Sequence, residues 1–313
     1  MRWPTLSGAA PRIIAHRGAS GVRPEHTLDA YSLAALQGAD VLEPDLVASR
    51  DGVLYARHDL GLGRSTDVAA REPFAGRCRD VAGERNWWIG DFSAAEVDEL
   101  RSVQPVPARG RQYDGRFIVP RFSQVLDLAL DIGAARGATL IVDAEIKHPD
   151  YFAALHIDLV AALRRDLEPR ALTGPQAPVW LESFDHAFLR SAHDACGNAC
   201  FALIEALPDG AAARAELLRG LAAWTRGVAV AKYLLWRGLG HASGLVESVH
   251  ALGLEIHAWT FRDDRSPAPF ATAREELFGA FSLGVDALFC DFPDTAIAAR
   301  REFAAAQGLS APR

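Results

Sequence analysis

Apolar runs recur along the chain at 12–16, 41–46, 140–146, 179–184, 200–204, 227–231, 255–260 and 287–291, and each reads as a short buried strand. Stretches of helical character separate most of them, at 27–37, 122–136, 152–167, 186–196, 211–224 and 245–252. Strand followed by helix followed by strand implies a parallel sheet with crossover connections. Eight such units close into a (β/α)8 (TIM) barrel. A doubly wound open sheet is the competing arrangement, and it accounts less well for ionisable residues at the ends of several separate strands.

One segment breaks the alternation. Val53 to Ala56 follow Leu46 after a gap too short for a parallel crossover of about a dozen residues. Residues 41–58 therefore read as a hairpin turning at Asp51 and Gly52. Pairing Ala48 with Val53 sets His58 beside Glu43. Residues 60–120 form the longest stretch without a barrel element, rich in Gly, Arg and Pro and carrying Trp87 and Trp88. A stretch of that length is a functional loop or small subdomain, so it is expected to be an insertion after the second strand that covers the barrel mouth. Residues 1–313 are otherwise expected to form a single barrel domain.

Composition narrows the function classes. Of 313 residues, half are hydrophobic and 23% are charged, with a formal net charge of −7. That balance argues against nucleic acid as a partner, which needs a clustered basic footprint. Cys78, Cys196, Cys200 and Cys290 show neither a disulfide-framework nor a zinc spacing and are expected to be thiols without a redox role. No apolar run is long enough to span a membrane, and Met1 to Gly8 lack the apolar core of a signal peptide. Read as it stands, the chain is expected to be cytoplasmic; removal of a leader would make it periplasmic or secreted.

The candidate chemistry sits at the strand ends. His16, Arg17 and Gly18 end the first run, Glu43 and Asp45 lie in the second, and Glu145 and Lys147 end the third. Ends of strands are where an α/β barrel displays its reactive groups. Glu43 and Asp45 are two apart, so both point to one face, and with Glu145 they can share one hard divalent cation, Ca²⁺ or Mg²⁺. His16 and His58 fit a general base and a general acid, in either order. Arg17 can fork onto phosphate oxygens and Lys147 can neutralise a developing anion, although each also fits a structural ion pair. Glu25 orients Lys147, Arg17 or a histidine, or else belongs to a helix start. Phe184 and Trp259 either shape the leaving-group side or pack in the core. Trp87 and Trp88 either close over substrate or fill the insertion.

Taken together, these motifs resemble the glycerophosphodiester phosphodiesterase family. The matching segments are His16-Arg17-Gly18, Pro24-Glu25-His26-Thr27, Glu43-Pro44-Asp45, His58-Asp59, Glu145-Ile146-Lys147 and Asp291-Phe292-Pro293-Asp294. Pro-Glu-His-Thr and the long insertion are closer to bacterial secreted members; Phe261-Arg262 departs from the commoner Val-Asn. The resemblance implies a barrel with an insertion after the second strand. It implies hydrolysis of glycerophosphodiesters to sn-glycerol 3-phosphate and an alcohol. Glu43, Asp45 and Glu145 would hold Ca²⁺ or Mg²⁺, His16 and His58 would be the acid–base pair, and Arg17 and Lys147 would grip phosphate. The glycerol hydroxyl or water attacks first. Two other expectations stay open: lysophospholipase D-like cleavage of lysophospholipids, which needs an apolar channel, and a noncatalytic phosphodiester-binding barrel. The oligomeric state is not legible.

Overall fold

The structure is a computed structural model that describes residues 1–238, 240–266 and 268–310. From the N-terminus run β1 (Arg12–His16), α1 (Leu28–Gln37), β2 (Val41–Glu43), β3 (Asp45–Ala48) and β4 (Leu54–Ala56). The following segment holds β5 (Arg79–Val81), β6 (Glu84–Asn86) and α2 (Ala94–Asp98). Next come α3 (Phe122–Arg136), β7 (Ile141–Ile146), α4 (Pro149–Ala154), α5 (Leu159–Leu167), β8 (Val179–Ser183), α6 (His186–Cys196) and β9 (Cys200–Ile204). The chain ends with α7 (Ala211–Ala222), β10 (Gly227–Ala231), β11 (Trp236–Arg237), β12 (His241–Ala242), α8 (Leu245–His250), β13 (Glu255–Phe261), α9 (Ala273–Leu283), β14 (Ala287–Cys290) and α10 (Pro293–Gln307).

Parallel pairing runs from β2 through β1, β14, β13, β10, β9, β8 and β7, and β7 returns to both β2 and β3. This closes an eight-stranded (β/α)8 barrel. Its second strand is β2 and β3 in line, interrupted at Pro44, which has no N–H for the ladder. All eight expected strands are present. Two helices after residue 270, α9 and α10, were not anticipated, and the expected helix 152–167 is two pieces, with Asp158 capping α5 through Ala161 N.

Strand alternation divides the core. One set of side chains, including Ile14, Val41, Trp180, Phe201 and Phe289, fills the barrel interior. The other, including Ile13, Leu42, Leu181, Val228 and Leu288, packs outward against helix residues such as Tyr31, Phe122 and Leu277.

The hairpin forms, but one residue out of the expected register. Ala48 pairs with Leu54, Val47 with Tyr55 and Leu46 with Ala56. Ser49 sets this by closing the turn itself: its N–H donates to Val53 O at 2.9 Å, and its hydroxyl bonds Asp51 Oδ1 at 2.7 Å. Continued to Arg57, whose N–H donates to Asp45 O at 2.8 Å, the register removes the expected pairing of His58 with Glu43. Beyond it, residues 60–120 pack around Phe74, Ile89, Phe92 and Leu100. Trp87 Nε1 donates to Phe74 O at 2.7 Å and Trp88 Nε1 to Arg79 O at 3.1 Å, so both indoles belong to this local core.

β1 leaves the barrel through a turn that requires glycine. Gly18 has φ +81°, and a Cβ there would lie 2.7 Å from the Ala30 carbonyl carbon. Gly18→Ala is expected to destabilise the fold by about 1–3 kcal/mol, read as a lower urea midpoint. An unchanged midpoint would show that α1 yields at Ala30.

Candidate active site

The C-terminal ends of the strands surround a cavity of about 1040 Å³. His16, Arg17, Glu43, His58, Glu145, Lys147, Phe184 and Trp259 all line it. Asp45 and Glu25 stand directly behind, holding residues that do.

Glu43, Asp45 and Glu145 converge so that one oxygen from each lies within 4.8 Å of the others, and all three residues are buried. Glu43 Oε2 accepts the Arg17 backbone N–H at 2.9 Å, and Glu145 Oε1 accepts Lys147 Nζ at 2.6 Å. Glu43 Oε1 and Asp45 Oδ1 have no hydrogen-bond partner among the described residues. Such buried oxygens are costly unless something positive meets them. A set of three hard carboxylates with two oxygens still open fits a divalent cation of the calcium or magnesium kind.

The charges of the triad are unequal. Burial, then Asp45 and Glu145, push Glu43 well above the usual carboxylate range; burial and Asp45 raise Glu145 to about 8. Asp45 keeps its charge: burial opposes ionisation, but Lys147, Arg17 and His58 outweigh it.

A second set of groups holds Asp45. His26 Nε2 lies 2.9 Å from Asp45 Oδ2, and His26 Nδ1 lies 2.9 Å from the Tyr31 hydroxyl. Burial lowers the His26 pKa and favours the neutral ring, so Nε2–H donates to Asp45 and Nδ1 accepts from Tyr31. The sequence placed His26 only near a helix start, five positions before Tyr31. Of the partners open to Glu25, the structure selects Arg17, with Nη1 donating to Glu25 Oε2 at 3.1 Å. Arg17 Nε lies 3.1 Å from Asp45 Oδ2 but off the hydrogen-bond direction, so this contact is one of charge. Lys147 Nζ is 3.7 Å from Asp45 Oδ1.

Each histidine on the cavity wall carries its own carboxylate. His16 Nδ1 lies 2.6 Å from Asp291 Oδ1, and His58 Nδ1 lies 2.5 Å from Asp59 Oδ1. Asp291 Oδ2 also accepts Arg109 Nη2 at 2.6 Å and Arg262 Nε at 2.9 Å. Burial alone would raise the Asp291 carboxyl, yet His16, Arg262 and Arg109 hold it far below the usual range. Burial and Arg17 lower His16 to about 4 against the opposing pull of Asp291. The ring is therefore neutral at pH 7. Its Nδ1–H donates to Asp291, which leaves the Nε2 lone pair free. Sequence reasoning named Asp291 within a motif without a role, and Arg109 not at all; they are 275 and 93 positions from His16. Arg109 reaches the barrel end from residues 60–120, as do Gln104, whose Nε2 donates to Arg23 O at 3.1 Å, and Arg64, 3.1 Å from Asp59; Arg109 also pairs with Asp264 at 2.7 Å.

The cavity continues away from the triad past Glu205, Lys232, Tyr233, Trp236 and Phe270. Phe184 and Trp259 meet edge to face at 5.7 Å, and Trp236 and Phe270 do so at 5.1 Å. Lys232 is neutralised by buried Glu276 at 2.8 Å. This half is thus an aromatic wall with the Lys232–Glu276 pair set into it and Glu205 and Arg265 beside it, open enough to accept a group larger than phosphate. No described helix is long and apolar enough to cross a membrane.

Known proteins resemble this chain. The chain matches the sequence model of the Glycerophosphoryl diester phosphodiesterase family over residues 16–295. It is 38% identical over 148 residues to glycerophosphodiester phosphodiesterase GDPD6 of Arabidopsis thaliana, a match covering 46% of this chain and 39% of that protein. The chain spans no more than half the length of the first curated relatives it matches. Among solved structures, a putative glycerophosphoryl diester phosphodiesterase from Silicibacter pomeroyi superposes with TM-score 0.72 at 21% identity, covering 98% of this chain and 99% of its own. An Oleispira antarctica phosphodiesterase in complex with the product sn-glycerol-3-phosphate superposes with TM-score 0.68 at 22% identity, covering 94% and 98%. These two likenesses carry the fold, whereas the match across residues 16–295 carries the family: the chain belongs to the glycerophosphoryl diester phosphodiesterase family.

Proposed function

We propose that this chain is a metal-dependent glycerophosphodiester phosphodiesterase, releasing sn-glycerol 3-phosphate and an alcohol from small diesters. The observation that carries the reading is one cavity wall bearing both carboxylate-backed histidines, His16 and His58, together with the triad carboxylates Glu43 and Glu145. The product bound by the Oleispira antarctica protein supports sn-glycerol 3-phosphate as the product here.

Glu43, Asp45 and Glu145 would hold Ca²⁺ or Mg²⁺, which when bound supplies positive charge to the phosphate oxygens. Arg17 grips the phosphate. Its two ion pairs leave Nη2 unused, and Glu25 fixes the guanidinium plane. Lys147 faces the same anion from beside Glu145 and offsets the charge that develops as the phosphorus–oxygen bond breaks.

His16 is the general base, because it is neutral with Nε2 free. It takes the proton of the attacking hydroxyl, from the glycerol moiety or from water, as the new oxygen–phosphorus bond forms. His58 gives a proton to the departing alkoxide as its bond to phosphorus breaks, with Asp59 orienting the ring. Where the glycerol hydroxyl attacks, water opens the resulting cyclic phosphate with the two roles exchanged. Phe184 and Trp259 contact the departing alcohol.

The test is release of sn-glycerol 3-phosphate from glycerophosphocholine by purified protein. Release is expected to stop in EDTA and return with Ca²⁺ or Mg²⁺; undiminished release from metal-stripped protein would remove the metal from the reading.

One observation favours lysophospholipid cleavage as a second reading. A neighbouring cavity of about 500 Å³, lined by Leu207, Leu218, Leu234 and Leu245, shares Tyr233 and Trp236 with the main one. An acyl chain fits that lining. Turnover rising with chain length would support it, and turnover confined to deacylated diesters would exclude it.

A further inference from the structure

One carboxylate on the cavity wall beside the triad, Glu182, has no role in the chemistry above. Glu182 lies on β8 directly across from the triad residue Glu145 on β7. Side chains on neighbouring strands at paired positions point the same way, and Glu182 lines the cavity although the residue as a whole is 0% exposed. Neither of its carboxyl oxygens has a hydrogen-bond partner among the described residues. It is not one of the three residues whose oxygens cluster within 4.8 Å.

The nearby cations do not answer it. Lys147 bonds Glu145 and faces Asp45, while Arg17 pairs with Glu25 and Asp45. Asp143, two residues before Glu145, does not answer it either: both its carboxyl oxygens also lack hydrogen-bond partners among the described residues, so the two side chains are not bonded to each other. What suits a buried carboxyl group on a cavity wall is an O–H donor arriving from the cavity itself. Two sources share that chemistry: a hydroxyl of the substrate's glycerol moiety and a water molecule at the triad.

We propose that Glu182 accepts a hydrogen bond from the glycerol hydroxyl remote from the phosphate, the one that does not attack phosphorus, and so selects diesters carrying that hydroxyl over those lacking it. The inference rests on the phosphodiesterase reading and names how that site recognises the polyol. A site built around a polar group rejects an analogue that leaves the group unpaired far more strongly than an apolar pocket rejects an extra group.

The experiment compares glycerophosphocholine with 2-hydroxypropylphosphocholine, which keeps the hydroxyl that can attack phosphorus and lacks only the remote one, in the wild type, Glu182→Gln and Glu182→Leu. The wild type is expected to favour glycerophosphocholine by about 10²-fold or more in kcat/KM. Glu182→Leu is expected to collapse that ratio toward unity by losing glycerophosphocholine. Glu182→Gln, which keeps an acceptor oxygen, is expected to restore most of it. An unchanged ratio in the leucine variant overturns the proposal. So does an equal loss on both diesters accompanied by weaker Ca²⁺ or Mg²⁺ binding in calorimetry, which assigns Glu182 to water at the triad. If the leucine variant does not fold, Glu182→Met supplies the same comparison. If the wild type cleaves neither diester, the phosphodiesterase reading fails separately, and the affinity ratio of sn-glycerol 3-phosphate to 2-hydroxypropyl phosphate tests Glu182 alone: a ratio that Glu182→Met leaves unchanged overturns the proposal, and a collapsed ratio supports it.

Discussion

Replacing Asp291 with asparagine is expected to lower kcat for glycerophosphodiester cleavage by about 10³–10⁴-fold, with a smaller change in KM. Asp291 accepts the Nδ1–H of His16 at 2.6 Å. Asparagine can present its NH₂ instead, which turns the ring toward the tautomer whose Nε2 carries the proton, and that form cannot act as a base. The substitution also removes the buried charge facing Arg109 and Arg262, so stability is expected to fall by about 3 kcal/mol. Steady-state kinetics and urea denaturation separate the two effects. A folded Asp291→Asn variant with wild-type kcat would end the assignment of His16 as the base.

The same pair makes a prediction about pH. His16 titrates near 4 in the folded protein against 6.5 when unperturbed. Above pH 6.5 both states hold the neutral ring, and the group adds no pH dependence. Between 6.5 and 4 only the unfolded chain takes up the proton, so stability falls as pH falls across that window and levels off below it. As the base, His16 should place the acid limb of kcat/KM near pH 4. Asp291→Asn should move that limb lower, because the removed carboxylate pulls the pKa upward.

Asp45→Asn is expected to weaken Ca²⁺ or Mg²⁺ binding by about 10²-fold or more and to abolish metal-restored turnover. Asp45 is the triad member that holds its charge without a cation, against Lys147, Arg17 and His26. Neutralising it leaves those groups facing an amide. Calorimetric titration with each cation reads the first effect and EDTA followed by re-addition reads the second. Equal cation affinity in wild type and variant would place the ion elsewhere.

Much of this is legible in the sequence. The eight barrel strands stand out because parallel strands covered on both faces must be apolar runs, and the ionisable residues at their ends mark the mouth. Glu43 and Asp45 share a face by the strand period alone. The hairpin register was not legible, because the backbone bond and hydroxyl contact of Ser49 decide where the turn closes. A one-residue difference of that kind leaves no trace in hydrophobic pattern. The partners of the site were equally hidden. Nothing in the spacing says that Glu25 would choose Arg17, or that His26 would reach Asp45 through the turn before α1.

By itself, then, the sequence determined the alternation of strands and helices, the end of the barrel that carries the chemistry, and the residues that could act there, because local periodicity and residue type are written in the chain. Only the tertiary structure decided which carboxylate backs which histidine, which charges of the triad survive burial, and that Glu182 sits unpartnered beside Glu145. Those outcomes depend on barrel closure. Closure brings β1 against β14 and β7 against β8, and it excludes the water that would otherwise make every such pairing weak.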